Sequence, residues 1–269
     1  MKGIKVYILN TGYIYNDADY NHAHINVGTI DNPSPKHVWE TVPSYCVLID
    51  HPTEGWILFD TGCDVNALET WPDYVMQSTP YIRKSEDDNL LVQLAKLGLE
   101  PKDISKVILS HFHVDHAGNI GLFAETADIY VSEEEASYAF RGAFEDNKSE
   151  MFGFYKKSDI KNNYKKLHYL TEDEELFEGV EVFTAYGHTP GHIGMIVHLE
   201  NRTLLFPADQ VKNQDNYDGN PGSLVSDSVA WYASAKKVHK LEKKYNAEVF
   251  FSHDLKAFEK MKKCPEYYA

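Results

Sequence analysis

The sequence predicts a layered α/β or α+β fold in which strands outnumber helices. Three observations carry that expectation. Short runs of strand-forming residues recur between Gly, Pro, Asp and Asn. Two stretches have apolar residues at helical period. With 269 residues, 43% hydrophobic and 25% charged, the chain is long and apolar enough to bury a sizeable core without staples.

The elements follow in chain order. The opening run Met1-Lys-Gly-Ile-Lys-Val-Tyr-Ile-Leu-Asn10 is too short in apolar residues for a signal peptide and lacks a following small-residue cleavage site, so it reads as the first strand. Further strands are expected at 44–49, 55–59, 106–109, 128–131, 180–183, 195–199, 203–206 and 248–251. A helix is expected over 88–97, where Leu90, Leu91, Leu94 and Leu97 share a face and Gly98 follows as a cap. A second helix starts near Ser226 and Ser228 and places Trp231, Ala235, Val238, Leu241 and Tyr245 on one stripe. Residues 132–166 differ, with Glu133-Glu134-Glu135, then Tyr and Phe, then Lys and Asn, and no strand signal. They read as helices and loops inserted between core elements, either a solvated face or a lid over a pocket. No Gly/Ser linker interrupts residues 1–269, so one domain is expected.

Charge narrows the partners. The chain has 26 Lys+Arg against 41 Asp+Glu, a formal charge of −15, which disfavours a nucleic-acid backbone and an anionic membrane surface. No stretch approaches the roughly 18 apolar residues that a membrane helix needs. Cys46, Cys63 and Cys264 are odd in number and widely spaced, which argues against a disulfide framework and for a reducing, cytoplasmic setting. A monomer or homodimer acting on a small molecule is expected.

The chemistry concentrates in the 13 histidines. In Lys106-Val-Ile-Leu-Ser-His111-Phe-His113-Val-Asp115-His116 an apolar strand runs into a loop with three imidazoles and a carboxylate. His111 and His113 project to one side of an extended backbone, and a turn after Val114 can bring Asp115 and His116 to a second position nearby. Imidazole and carboxylate together suit zinc, iron or cobalt. Four further Asp/His residues end apolar runs: Asp60 after Trp56-Ile-Leu-Phe59, His188 after the 180–183 strand, Asp209 after Thr203-Leu-Leu-Phe206, and His253 after Val249-Phe-Phe-Ser252. Together they place a site along one edge of the sheets.

His111, His113, Asp115, His116, His188, Asp209 and His253, preceded by Asp60-Thr61-Gly62, resemble the metallo-β-lactamase superfamily in order and spacing. The resemblance implies an αββα sandwich with a two-metal site at its edge, to which the residues themselves add the helical insertion at 132–166. By the same resemblance, His111, His113 and His188 would hold one divalent ion, and Asp115, His116 and His253 a second. Asp209 would bridge the two, and Asp60 would orient His116. Zinc is the expected metal, with iron or cobalt as alternatives. His192 is left out of the ligands and read as lying past the turn, either supporting a ligand or packing.

Within the superfamily, the sequence is most similar to the N-acyl homoserine lactonase and pyridoxolactonase branch. The similarity includes Leu97-Gly-Leu-Glu-Pro-Lys-Asp-Ile104, His188-Thr-Pro-Gly-His192, Ser252-His-Asp254 and Pro265-Glu-Tyr-Tyr268. It implies a quorum-quenching lactonase that opens a lactone with a hydroxide held between the ions, Asp115 handling the proton. A glyoxalase II-like thioesterase or other esterase is the alternative, followed by a non-catalytic or redox metal protein. One departure stands out: that branch has a tyrosine three positions after the bridging aspartate, where this chain has Lys212. Lys212 and the nearest tyrosine, Tyr217, are both candidates for the missing role; Lys212 alternatively selects an anionic substrate or is an exposed loop residue.

Overall fold

A computed structural model describes residues 2–22, 25–145 and 154–269. Among them, strands β1 (Lys5–Asp17), β2 (Trp39–His51), β3 (Gly55–Phe59), β4 (Tyr81–Ile82), β5 (Ile104–Leu109), β6 (Asp128–Ser132) and β7 (Lys166–Leu170) form one sheet, in the order β4-β1-β2-β3-β5-β6-β7. Strands β8 (Glu174–Phe177), β9 (Val180–Thr184), β10 (Ile193–His198), β11 (Thr203–Phe206) and β12 (Glu248–Val249) form the other, in the order β12-β11-β10-β9-β8.

Alternating side chains give each sheet an inner and an outer apolar face. Val6, Ile8, Val47, Ile49 and Ile57 of the first sheet pack between the sheets against Val182, Met195, Val197, Leu204 and Phe206 of the second. On the outer face of the first sheet, Leu9, Leu48, Leu58 and Val107 meet Leu90 and Leu94 of the Leu90–Ala95 helix. Outside the second, Phe183, Ile196 and Leu205 meet Val238 of the Ser228–Tyr245 helix. Four layers, αββα, result, as the resemblance implies.

Both expected helices form, with the caps their sequences offer. Asn89 accepts from the backbone N–H groups of Leu91 and Val92, and Gly98 follows with φ 72°. Asp227, between the two expected serines, accepts from Val229 and Ala230. Trp231, Ala235 and Val238 are buried on the expected stripe.

The differences lie at strand ends and in weak strands. β1 runs to Asp17 and β2 begins at Trp39, because each pairs with the other along almost its full length. β4, β7 and β8 were not expected; they are edge or near-edge strands, stabilised by a neighbour more than by apolar pattern. The 132–166 segment is helical over Glu133–Glu145 and makes a turn at Lys157–Ile160, while its stretch 146–153 lies outside the described residues.

Strand direction positions the site. β3, β5 and β6 are parallel, so Asp60, His111 and Glu135 all follow the same ends of their strands. In the second sheet β9, β11 and β12 run one way, which brings His188, Asp209 and His253 to one edge. The turn bearing His188 also lies hard against the Glu133–Glu145 helix: a Cβ on Gly191 would stand 2.0 Å from the Glu135 nitrogen. Gly191→Ala should therefore lower unfolding free energy by about 1–3 kcal/mol in chemical denaturation, since backbone on both sides must move.

Candidate metal centre

The strand-end residues converge. The ligand atoms of His111, His113 and His188 lie within 4.8 Å of one another, and so do those of His111, His116 and Asp209 and those of Asp115, His116 and His253. Asp209 stands between the first and last groups. Its carboxylate oxygens lie 3.1 Å from His116 Nε2, 3.3 Å from His188 Nε2 and 3.0 Å from His253 Nε2. Asp115 Oδ2 lies 3.5 Å from His116 Nε2 and 3.4 Å from His253 Nε2.

The surrounding hydrogen bonds aim these nitrogens inward. His188 Nδ1 donates to the Leu224 carbonyl at 3.1 Å, and His253 Nδ1 to the Pro43 carbonyl at 2.8 Å. His116 Nδ1 donates to Asp60 Oδ2 at 2.8 Å. Ser110 Oγ gives its single hydrogen to Asp60 Oδ2 at 2.7 Å, so towards His111 Nδ1, at 2.9 Å, it can only accept. In each case the Nδ1 proton is fixed outside and Nε2 faces the site. His111 Nε2 is buried and has no hydrogen-bond partner among the described residues. A buried imidazole nitrogen left in this state is costly unless a cation takes its lone pair, and outer hydrogen bonds of this kind are what metal-ligating histidines have. The donor set thus fits two divalent ions.

Electrostatics divide the imidazoles. Burial holds His111 and His188 well below the ordinary histidine range and lowers His113 to about 3. Burial also disfavours charge on His116 and His253, but Asp209 and Asp115 outweigh it and raise both, His116 with help from Asp60. Asp209, though buried, is held well below the ordinary carboxylate range by His253 and His116.

The remaining expected residues separate. Lys212 is buried in the wall of a cleft of about 440 Å³ that also includes His113, Asp115, Asp209 and His253. It is no exposed loop lysine: Nζ donates to the Tyr20 carbonyl at 2.5 Å, and burial lowers its pKa to about 8 against Asp209, Glu40 and Asp115. The structure does not bring Tyr217 to the cleft. Its hydroxyl donates to Glu242 at 2.7 Å and its ring packs against Phe251 and His239, on the outer side of the second sheet. His192 packs beside His111 and accepts from the Asp209 backbone N–H at 3.1 Å.

Glu135 escaped the sequence reading. Wholly buried, its carboxylate accepts from Phe112 N at 3.0 Å, Tyr155 Oη at 2.8 Å, Thr189 Oγ1 at 2.6 Å and Gly191 N at 3.3 Å. It fastens the loop of His111 and His113 to the turn of His188. The signal was present: Glu135 is in phase with the buried Ala139, Gly142 and Ala143 rather than with a solvated face.

Residues 39–253 match the family described as the metallo-beta-lactamase superfamily. The chain belongs to that superfamily. Among its metallo-beta-lactamase relatives, the N-acyl homoserine lactonase AttM of Rhizobium radiobacter is 31% identical over 245 residues, covering 85% of this chain and 88% of AttM. The N-acyl homoserine lactonase AiiB of Agrobacterium fabrum is 29% identical over 270 residues, 95% of each chain. A solved N-acyl homoserine lactone hydrolase, with the product N-hexanoyl-L-homoserine at its catalytic metal centre, has a TM-score of 0.83 at 26% identity, with full coverage of both chains.

Because the neighbouring carboxylates outweigh burial and favour the protonated forms of His116 and His253, a metal ion at either Nε2 competes with a proton. Zinc uptake should release protons and tighten as pH rises from about 6 to 8. Calorimetry in buffers of different ionisation enthalpy measures this; uptake without proton release would contradict the raised imidazoles.

Proposed function

We propose that this superfamily member is a metal-dependent lactonase of the kind its relatives are named for, opening homoserine lactone rings. The observation that supports this most is the convergence of four outward-fixed imidazoles, His111, His116, His188 and His253, on the buried carboxylate of Asp209. In this reading His111, His113 and His188 hold one ion, Asp115, His116 and His253 hold the other, and Asp209 serves both. Zinc suits nitrogen-rich sites of this kind. Bound there, two divalent ions supply Lewis acidity to an acyl carbonyl and acidify water.

The chain's own residues do the rest. Asp60 orients His116, and through Ser110 it also orients His111. Asp115 is a partly buried carboxylate at the cleft, placed to take the proton that the attacking water loses and pass it to the alkoxide that ring opening releases. Ile14, Val42, Val114, Phe154 and Leu224 give the cleft an apolar side that excludes water from the acyl group. No serine or cysteine nucleophile is needed; Cys46, Cys63 and Cys264 are buried free thiols, which suits a cytoplasmic enzyme. We read residues 1–269 as one domain, a monomer or homodimer. His253 of the second sheet leans on Pro43 of the first, and the C-terminal Tyr268 pairs with Val6.

Purified, zinc-loaded protein should open N-hexanoyl homoserine lactone faster than it cleaves matched thioesters or phosphodiesters. His111→Ala and Asp209→Ala should each lose bound metal and lower kcat/KM by about a hundredfold or more. Metal content intact in both variants would remove the ligand assignment. A preference for thioesters would remove the lactonase reading while leaving the metal site.

A further inference from the structure

Lys212 has more binding capacity than the structure uses. An ammonium has three N–H donors. One goes to the Tyr20 carbonyl at 2.5 Å, and among the described residues Lys212 Nζ has no other hydrogen-bond partner and no carboxylate within ion-pair distance. Yet the side chain is buried, in the wall of the cleft that holds Asp115, Asp209 and His253.

The charges that stabilise it from further away are Asp209, Glu40 and Asp115. Asp209 and Asp115 belong to the proposed metal set, so bound divalent ions would cancel their effect on Lys212. Glu40 is already engaged: His22 Nε2 lies 3.3 Å from one of its oxygens, and Asn21 Nδ2 donates to the other at 2.9 Å. His22 is itself raised to about 9, by Glu40 against its burial and by Asp215, so it is an imidazolium at neutral pH. In the loaded protein Lys212 is left with donors to spare and no counter-charge of its own, so burial draws it towards the neutral amine. An unpaired buried charge is strongly unfavourable, and an anion that accepts its free N–H groups removes the penalty. A neutral acyl chain would fill the apolar wall but give the ammonium form no counter-charge.

We infer that Lys212 is a specificity-determining residue that receives an anionic group on the substrate, so that this site prefers a lactone bearing a carboxylate to its neutral counterpart. The inference rests on the lactonase reading and names the substrate class within it. No new covalent step is involved: water still adds to the acyl carbon, the ring C–O bond breaks, and the alkoxide is protonated, while the second carboxylate is only held.

The test uses the full-length, zinc-loaded protein with γ-butyrolactone-γ-carboxylate and its neutral γ-carboxamide. Wild type should favour the carboxylate in kcat/KM by about tenfold or more, the worth of one charge-assisted hydrogen bond. Lys212→Met should bring that ratio close to unity, and Lys212→Arg should keep most of it. Binding is read separately by calorimetry with 2-hydroxyglutarate, the ring-opened form of the carboxylate substrate. Lys212→Met should weaken it by about tenfold at unchanged zinc content, and added salt should weaken it in wild type. A wild-type ratio near or below unity overturns the inference, whatever the variants do, and leaves the lactonase reading standing. So does a ratio that Lys212→Met leaves unchanged, which would assign the lysine to the acyl oxygen that both substrates share. If neither lactone is opened but 2-hydroxyglutarate still binds through Lys212, the anion site stands and the lactonase reading falls.

Discussion

Charge balance in one buried volume is the constraint on which the rest of this structure depends. Asp209 and Asp115 face His116 and His253 across distances of 3.0–3.5 Å, and their negative charge favours protons on both imidazoles against the burial that opposes them. His111, His113 and His188 lie where burial dominates, and remain neutral with lone pairs available. One half of the site thus stores negative charge and the other half stores imidazole lone pairs, with Nε2 of His111 and of His113 unpartnered among the described residues. Divalent cations satisfy both at once, which no arrangement of protons does, because protons on the second group would repel those on the first.

Such an arrangement does not fold for free, and the backbone shows where it is held. Asp60 and Ala208 adopt φ 58° and 45°, a region that costs side-chain-bearing residues of order 1–3 kcal/mol. Both precede or carry a functional carboxylate. Asp60 is kept in place by Ser110 N and Ser110 Oγ at 2.7 Å each and by His116. Ala208 is followed by Asp209, whose N–H is tied to His192 and whose Oδ1 accepts from Ser252 at 2.8 Å. Glu135 does the equivalent on the far side, joining two metal-site loops from different sheets through one carboxylate. Burial raises its pKa against the four groups that donate to it, so those donors keep an otherwise unfavourable anion in position.

The sequence revealed this site more fully than it revealed the fold. A metal site at the edge of two sheets draws on strand ends and on residues such as His and Asp, so His111, His113, His188, Asp209 and His253 each signalled both a candidate ligand and a boundary. Glu135 had the right periodicity but stood in a Glu-Glu-Glu run that reads as solvated, and only tertiary contact separates it from its neighbours. Tyr217 shows the opposite case: a tyrosine close in sequence to the bridging position, carried to the other side of the sheet by the turn after Asn213. Edge strands such as β4 and β8 were illegible because their neighbours, more than their own side chains, make them strands. Hydrogen-bond pairing across a sheet has no local signature in either partner.

The two sides of the cleft are built from different kinds of sequence. Its metal side consists of parallel strand ends, where a one-residue slip would turn every ligand away. Its substrate side is assembled from the far end of β1 at Ile14 and Asn16, the Tyr20–Asn21 turn, Phe154 of the insertion, and Lys212. These residues are ordinary in type and scattered in sequence, and they meet the metal side mainly through backbone and ring packing, as where the Lys212 carbonyl accepts from the His253 N–H and Phe154 packs on His113. That separation lets position 212 vary while the cluster of histidines and aspartates stays in place. It also places the lysine's effect on substrate choice rather than on metal binding, because its Nζ is anchored to the Tyr20 carbonyl and not to any ligand side chain.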